Sequence, residues 1–333
     1  MNLRKLLIQV SVCLLFFLLL SSGVWLGGVG SVLPSGGARF GLKIEGDLYY
    51  AHIISRFLLP GEEIQIEIIP ANKENEYQWS NSGGRLTEVS ANKYKWSAPK
   101  EPGLYPLTIS QKSNVPDSNP TNSTRLNGFV LVPFNRLKKG VLNGYRIGRY
   151  PIKPYRGLPT YLPPKGFVEV TRENQAVRVS DHFRLQDFLC KQKSSYPKYL
   201  VLREELLMKL EKLLAAINRE GYRCSQLKIM SGYRTPYYNR LIRNVRYSRH
   251  IYGDGVDFFI DENPRDGVMD DLNRDGRIDF RDARLLYDII RKMSDKHIFD
   301  EYPGGLGYYG NTSCHCPFVH IDTRGYWVQW GGR

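Results

Sequence analysis

The sequence predicts a multidomain protein in which an apolar N-terminal segment precedes an all-β domain and a C-terminal domain of helices and strands. Three observations lead to this expectation. Residues 6–38 contain no charged side chain. Short segments of alternating apolar and polar residues follow, separated by turn residues. Beyond about residue 180, helical spacing and strand-like runs occur together. The 333 residues are enough for two or three domains.

The N-terminal segment, residues 1–38, has the features of a signal anchor. Arg4 and Lys5 precede an apolar core at 6–26, which is long enough to span a bilayer as a helix. A positive flank of this kind predicts a cytoplasmic N-terminus and an exported remainder. A cleaved signal peptide is the alternative, but no A-x-A site follows the small residues at 21–23. We therefore expect a single-pass protein of the cytoplasmic membrane, with the bulk of the chain on its periplasmic or extracellular side.

Residues 39–135 are expected to form an immunoglobulin-like β-sandwich. Ile64, Ile66 and Ile68 alternate with polar neighbours, which is the period of a half-buried strand. The same alternation recurs in three later segments: Tyr77 and Trp79, Tyr94 and Trp96, and Leu107 and Ile109. Short strands separated by Pro and Gly turns are typical of a sandwich. These residues contain no catalytic pattern, so the domain is interpreted as a spacer, with a wall-binding or positioning module as the alternative.

The remainder divides into a connector and a second domain. Residues 136–180 are rich in Tyr, Pro, Gly and basic side chains, which predicts an irregular connector with a small hairpin near 167–170. In the domain at 181–333, Ser180 is expected to cap a first helix over 183–190. A second helix is predicted where apolar residues from Leu202 to Ile217 fall on one helical face.

Two histidines and one aspartate in this domain have the residue types of a metal site. The stretch 231–257, SGYRTPYYNRLIRNVRYSRHIYGDGVD, contains His250 and Asp257, and FVHID at 318–322 contains His320. Two imidazoles and one carboxylate are a ligand set for a catalytic zinc ion, which keeps its fourth position open. A His and an Asp at this spacing are a weak pattern alone, but the flanking motifs strengthen it.

With SGYRTPYYN, SRHIYGDGVD and FVHID in this order, roughly the last 150 residues resemble the zinc D-Ala-D-Ala carboxypeptidase family, which belongs to the LAS-type peptidoglycan metallopeptidases. The resemblance implies an α+β domain with a mostly antiparallel sheet that binds Zn²⁺ through His250, Asp257 and His320. It implies that Arg234, the arginine of SGYR, contacts the substrate carboxylate or the developing oxyanion. Asp322 shares a strand face with His320 and is a candidate to orient that imidazole.

These motifs leave the proton-transferring residue open. Family members often place an acidic residue three positions before the last histidine or a histidine two before it, where this chain has Pro317 and Phe318. His315 lies five positions before, and an unperturbed pKa of about 6.5 suits proton transfer. We predict His315 for this role, with Asp322 and Glu301 as alternatives. The missing base also makes a non-catalytic cell-wall-binding protein the alternative function.

A second metal pattern, DLNRDGRIDFRD, occupies residues 271–282. It places oxygen ligands and a turn glycine at the spacing of an EF-hand calcium loop: Asp271, Asn273, Asp275, Gly276, Arg277 (through its carbonyl), Asp279 and Asp282. Asp replaces the usual Glu at position twelve, and no entering helix is apparent, so the loop resembles dockerin-type or extracellular calcium loops. We expect structural Ca²⁺ here. The alternatives are an acidic surface loop and a structural calcium protein without zinc.

The charge balance and the cysteines limit the partners and the compartment. A formal net charge of +14 favours anionic partners. The basic residues are scattered and form no nucleic-acid motif, so an anionic cell envelope with a peptidoglycan peptide substrate is the expected partner. Besides Cys13, the cysteines Cys190, Cys224, Cys314 and Cys316 would allow two disulfides in an oxidising compartment, in any of three connectivities.

Overall fold

The computed structural model describes residues 40–70, 75–112 and 122–331. The predicted signal anchor at 1–38 lies outside these residues. Among the residues described, no helix is long and apolar enough to cross a membrane. Strands predominate over helices, so the chain has the β-rich organisation that its alternating pattern predicts.

The first part of the chain forms two packed sheets from nine strands: β1 (Gly41–Ile44), β2 (Asp47–Tyr49), β3 (Ile53–Leu58), β4 (Glu63–Ile69), β5 (Tyr77–Asn81), β6 (Arg85–Ser90), β7 (Lys93–Ser97), β8 (Gly103–Gln111) and β9 (Ser123–Val130). Their orders are β2-β1-β4-β7-β6 and β3-β9-β8-β5. Only the β3–β9 pair of these two sheets is parallel. The sets β1-β4-β7-β6 and β5-β8-β9 have the strand arrangement of an immunoglobulin sandwich.

The alternation predicted for the sandwich strands is confirmed at β4. Ile64, Ile66 and Ile68 are buried between the sheets, whereas Gln65 is exposed. Burial of each such side chain contributes about 1.5–3 kcal/mol. Trp96 fills the centre of this core, and its indole Nε1 donates a hydrogen bond to a backbone carbonyl at 3.1 Å. Hydrophobic burial therefore holds the two sheets together, as their sequence pattern indicates.

Five short strands follow the sandwich: β10 (Val132–Pro133), β11 (Val141–Leu142), β12 (Tyr145–Arg146), β13 (Gly166–Val170) and β14 (Lys198–Leu200). Of these, β11, β12 and β13 lie in the connector, which is therefore more regular than the sequence predicts. The predicted hairpin near 167–170 is wrong, because β13 lies between β10 and β14 in a three-stranded sheet. The predicted helix over 183–190 is also wrong. Leu185 and Phe183 form backbone hydrogen bonds with Val177 and Val179 in a strand-like manner, which leaves only a 3₁₀ turn. The turn begins after Arg184, whose amide donates to the Asp187 carboxylate at 2.7 Å, and Ser180 does not cap it.

The C-terminal region combines three helices with a five-stranded sheet. These elements are α1 (Glu204–Arg219), β15 (Leu227–Ser231), α2 (Pro236–Leu241), β16 (Gly255–Ile260), α3 (Phe280–Asp295), β17 (Gly305–Tyr309), β18 (Phe318–Asp322) and β19 (Val328–Gly331). The sheet order is β15-β16-β18-β17-β19. All neighbours are antiparallel except β17 and β19. This is the mostly antiparallel sheet expected from the resemblance.

The helices follow their sequence signals closely. The apolar stripe predicted for α1 is buried, including Leu206, Leu210 and Ile217. Thr235 caps α2, because its hydroxyl accepts a hydrogen bond from the Tyr238 amide at 3.0 Å. Helix α3 packs on β17 and β18, so one face of the sheet is covered and the other remains for the site.

Strand β3 links the sandwich to the C-terminal region. The Asp181 carboxylate accepts a hydrogen bond from the backbone N–H of Ile53 at 2.7 Å, and Glu204, at the start of α1, accepts one from Phe57 at 3.0 Å. The Ser55 hydroxyl donates to the Val179 carbonyl at 2.7 Å. An edge strand whose polar groups would otherwise face water is thereby covered by residues far along the chain.

Candidate metal centre

Neighbouring strands bring the predicted ligands together. In the β16–β18 pair, Asp257 lies directly opposite His320, and in the β15–β16 pair Ser231 lies opposite Asp257. Directly opposed residues of an antiparallel pair project from the same face of the sheet. The register therefore aligns one carboxylate and one imidazole that are 63 residues apart in sequence.

His250 reaches the same point from a 3₁₀ turn, Arg249–Tyr252, that immediately precedes β16. The turn ends at Gly253, whose φ is +72°. A Cβ at this position would come within 2.4 Å of the Val201 carbonyl oxygen. The glycine therefore provides both the left-handed turn and the close approach that place His250 beside Asp257.

The three ligand atoms converge in a buried cluster. Nδ1 of His320 lies 2.8 Å from Oδ1 of Asp257, and Nε2 of His250 lies 3.2 Å from the same oxygen. One ligand atom from each of the three residues lies within 4.8 Å of the others. Their exposed fractions are only 3% for His250, 3% for Asp257 and 6% for His320.

The second nitrogen of each imidazole is held by a separate partner. Nδ1 of His250 lies 2.7 Å from the Gly232 carbonyl, which can only accept, so Nε2 is left for a metal. Nε2 of His320 lies 3.1 Å from Oδ2 of Asp322, which leaves Nδ1 facing Asp257. Outer partners of this kind fix the ring orientation of metal-binding histidines. The donor set of two nitrogens and one oxygen therefore fits a zinc ion with an open fourth position.

The protonation states also fit a cation site. Burial lowers the pKa of His250, which favours the neutral imidazole that a metal requires. Burial alone would raise the pKa of Asp257, but His250 and His320 outweigh it and hold the pKa well below its ordinary value. Burial lowers the pKa of His320, yet its hydrogen bonds to Asp257 and Asp322 dominate and raise it. A metal cation would replace the proton that these carboxylates favour on His320.

Arg234 and Asp322 lie at the cluster in different roles. The Arg234 guanidinium donates to Asp257 Oδ2, and its Nε donates to the Ser231 hydroxyl at 2.9 Å. Asp322 is completely buried and accepts hydrogen bonds from His320, from the Gly305 amide and from the Arg324 guanidinium. Burial raises the pKa of Asp322, but His320 and Arg324 outweigh it and lower the pKa strongly. Asp322 is therefore placed to orient His320 rather than to carry a proton.

The other two candidates for proton transfer lie in separate places. His315 lines a cleft of about 290 Å³ together with Tyr309 and Trp330. The Trp330 ring is 5.4 Å from the His320 ring, so the cleft adjoins the ligand cluster. Glu301 is instead exposed and bonded to Lys212 on α1. The structure thus brings His315, but not Glu301, to the cleft beside the ligands.

Sequence analysis missed Tyr309 and Trp330. Tyr309 lies two residues beyond Gly307, which is opposite His320, so both positions are on the site face of the sheet. The Trp330 indole donates to the Tyr309 hydroxyl at 2.7 Å and lies over Gly307, where a Cβ would come within 2.3 Å of the ring. The alternation Gly-Leu-Gly-Tyr at 305–308 could have indicated these residues. Glycines at every second position of a strand leave one face of the sheet without side chains, so that another group can approach it closely.

The acidic loop at 271–282 has a turn held by its own side chains. Asp271 accepts from the amides of Asp275 and Gly276 at 3.2 and 2.7 Å, and the fully buried Asp282 accepts from Asp279 at 2.9 Å. The Arg281 guanidinium pairs with Asp275 and Asp279. Within the described part of the chain, these carboxylates do not converge on one point as the three zinc-type ligands do.

The cysteines at 190, 224, 314 and 316 are free thiols in the structure. Cys190 and Cys224 are buried, whereas Cys314 is exposed. The two disulfides that the sequence allows are therefore not formed here.

A buried site of two imidazoles and one carboxylate, with outer partners that orient both rings, belongs to the class of catalytic-type zinc sites. Comparison with known families narrows this class. The family model described as Peptidase M15 matches residues 181–280, a range that includes Arg234, His250 and Asp257. Neither the curated proteins nor the solved structures gave a match. The C-terminal region is therefore similar to the M15 zinc peptidases, which are D-Ala-D-Ala carboxypeptidase-like metallopeptidases.

Proposed function

We propose that the protein is a zinc metallopeptidase that hydrolyses peptide bonds in peptidoglycan stem peptides or cross-links and so remodels the cell wall. The observation that supports this proposal best is the convergence of His250, Asp257 and His320, with the outer nitrogen of each imidazole already engaged. The match to Peptidase M15 supports the choice of a peptidase over other zinc hydrolases. The reaction is that of a D-Ala-D-Ala carboxypeptidase or of an endopeptidase.

The residues around the ligands have distinct parts in this proposal. A zinc ion held by the three ligands would polarise the scissile carbonyl and lower the pKa of a bound water. Arg234 stands beside the ligand Asp257, where its guanidinium can contact a substrate carboxylate or the developing oxyanion. His315 would carry a proton from the attacking water to the leaving amine. The Tyr309 hydroxyl accepts from Trp330, so its own proton is free to bond a substrate oxygen.

A non-catalytic wall-binding protein is the second candidate. Pro317 and Phe318 occupy the positions where related peptidases often carry their proton-transferring residue, and neither side chain can exchange a proton. In that case the metal fold would bind peptidoglycan without cutting it.

Incubation with purified peptidoglycan fragments and zinc, followed by mass analysis of the products, tests the proposal. Loss of one terminal residue indicates a carboxypeptidase, and two shorter peptides indicate an endopeptidase. The His250→Ala variant should give no product. Fragments that bind the wild-type protein and remain intact would favour the wall-binding alternative.

We also propose two features that go with this function. The loop at 271–282 binds a structural calcium ion, a proposal that rests on its EF-hand spacing and on the Asp271 turn. The segment at 1–38 anchors the chain in the cytoplasmic membrane with the peptidase exported, which rests on Arg4 and Lys5 before the uncharged run. A reporter fused after Arg333 should be active only outside the cytoplasm.

A further inference from the structure

Two segments without acidic residues lie side by side next to the metal centre. Residues 136–168 and 221–253 contain no Asp or Glu. They meet where the Tyr237 amide donates to the Ile147 carbonyl at 2.9 Å. Gly148 is so close to Tyr237 that a Cβ would come within 2.5 Å of its backbone nitrogen. The two segments therefore form one continuous surface.

A pair of tyrosine rings, one from each segment, adds to this contact, and an arginine lies next to each ring. The Tyr155 and Tyr247 rings are 5.3 Å apart, and the Tyr247 hydroxyl donates to the Lys153 carbonyl at 3.2 Å. The guanidinium of Arg156 lies 5.2 Å from the Tyr155 ring, and that of Arg246 lies 5.5 Å from the Tyr247 ring. Cations from both segments are thus brought to the same surface.

The resulting basic face is defined by its exposed cations, which are Arg146, Arg149, Lys153, Arg156, Arg240, Arg243 and Arg246. Within the residues described, none of these side chains forms an ion pair with a carboxylate. In the sandwich, by contrast, lysines form ion pairs with carboxylates: Lys93 pairs with Glu67, and Lys95 pairs with Glu63. The basic face therefore presents positive charge that the protein itself does not neutralise.

Exposed aliphatic side chains are close neighbours of these cations in the sequence. The exposed fractions are 91% for Ile152, 69% for Val245 and 62% for Leu241. Leu241 ends helix α2, and the turn with Val245 that follows is held in place, since Asn239 donates from its side chain to the Val245 carbonyl at 2.9 Å. Exposed aliphatic groups that alternate with basic residues along the chain match the chemistry of an acidic bilayer surface, where hydrocarbon enters the headgroup region and cations bind phosphates.

We propose that the basic face binds the surface of a phospholipid bilayer that contains anionic lipid. An anionic wall polymer would satisfy the cations but would leave Ile152, Leu241 and Val245 in water. The face is continuous in sequence with the centre, because 235–249 lies between Arg234 and His250. Bilayer contact would therefore hold the metal cleft near the membrane. This inference is independent of the proposed peptidase activity.

Hydrogen exchange of the full chain with lipid nanodiscs tests the proposal. Discs of phosphatidylcholine alone are compared with discs that also contain phosphatidylglycerol. Amides at 148–156 and 240–247 should exchange more slowly only with the anionic discs, whereas amides at 93–100 in the sandwich should not change. Because the full chain is present in both samples, insertion of another segment contributes equally to each.

Two sets of variants separate what the cations contribute to bilayer binding from what the aliphatic side chains contribute. The protection should be lost in Arg240→Gln/Arg243→Gln/Arg246→Gln and also in Ile152→Ser/Leu241→Ser/Val245→Ser. Two matched controls on the sandwich, Arg85→Gln/Lys93→Gln/Lys100→Gln and Val89→Ser (68% exposed), should retain it. All variants are first compared with the wild type by thermal melting.

Three results would overturn the proposal. The first is equal protection with neutral and anionic discs. The second is loss of protection in the charge set but not in the aliphatic set. The third is protection by soluble poly(glycerol phosphate) without protection by anionic discs. The last two would assign the basic face to an anionic polymer instead of a bilayer.

Discussion

At the residue scale, the first prediction concerns Asp322, which contacts the predicted ligand His320 without being one of the three ligands. It holds Nε2 of His320 at 3.1 Å and is itself fixed by the Gly305 amide and by Arg324. Asp322→Asn should weaken zinc binding by about 10–100-fold, the usual cost of losing an outer partner. His320→Ala should lose the ion altogether. Chelator competition and elemental analysis of the purified protein measure both effects.

A matched control for this prediction is Asp300→Asn. Asp300 is a carboxylate that also bonds a histidine, His297, at 2.8 Å, but on the exposed surface. Its replacement should leave zinc affinity unchanged. One full equivalent of zinc in His320→Ala would mean that the ligands have been assigned wrongly.

The second prediction at the residue scale concerns His315. It lines a cleft with Trp330, whose ring lies 5.4 Å from that of His320, but it is not a ligand. His315→Ala should keep its zinc and its melting temperature and should lose about 10²–10⁴-fold in hydrolysis rate, the usual share of general acid–base catalysis. Asn311→Ala, which removes another side chain from the same cleft, is the control and should keep most of the rate. Unchanged turnover in His315→Ala would exclude this residue from proton transfer.

At the scale of single elements, Lys209 connects helix α1 to the site sheet. Its ammonium group is buried and donates to the carbonyls of Tyr302 and Asp322 at 3.0 and 2.9 Å. Burial lowers its pKa from 10.5 to about 8. Between these two values the unfolded chain binds the proton more tightly than the folded chain does. The contribution of Lys209 to folding stability therefore rises with pH from about 8 to 10.5.

Thermal melting across this pH range checks the effect of Lys209. The wild type should gain stability with rising pH relative to Lys209→Met, because only the wild type releases this unfavourable proton. Lys212→Met, one turn away and bonded to the exposed Glu301, is the control and should follow the wild type. Parallel pH profiles for the wild type and Lys209→Met would contradict the prediction.

The acidic loop before α3 is the other element with a testable ion dependence. Extracellular loops of this type bind calcium at about 10⁻⁴–10⁻³ M. Calcium in this range should raise the melting temperature, since an ion that binds only the folded state stabilises it. Asp275→Ala should abolish the gain, and Asp266→Ala, which changes a nearby carboxylate outside the loop, should retain it. A melting curve that does not change up to millimolar calcium would mean that the loop keeps its shape without a calcium ion.

The sequence alone predicted those elements whose periodicity of apolar residues matches the side of the element that is buried in the structure. The buried stripe of α1 and the alternation of Ile64 to Ile68 are of this kind. The predicted helix over 183–190 does not form, because Phe183 and Leu185 make their backbone hydrogen bonds with the preceding segment 177–179. Tyr309 and Trp330 were missed for a similar reason, since strand register rather than sequence spacing joins them to His320.

At the scale of the whole molecule, the sandwich and the C-terminal region share a buried boundary. Phe57 and Phe129 of the sandwich stack at 5.4 Å and belong to the same hydrophobic cluster as the C-terminal core. Asp181 and Glu204 accept backbone hydrogen bonds from β3 at this boundary. Burial raises the pKa of both carboxyl groups. Removing either acceptor would leave a backbone N–H of β3 without its partner.

These contacts predict that the two regions unfold together. Calorimetry of the wild type should show one transition for residues 40–331, with calorimetric and van't Hoff enthalpies in agreement. Asp181→Ala/Glu204→Ala should separate this transition into two, because each region would keep its own core and lose the shared hydrogen bonds. Asp187→Ala is the control: this carboxylate accepts a backbone bond from Arg184 at 2.7 Å within the C-terminal region, so its loss should lower one transition without dividing it. Two separate transitions in the wild type would show that the boundary contributes little, and the sandwich would then act as an independent spacer.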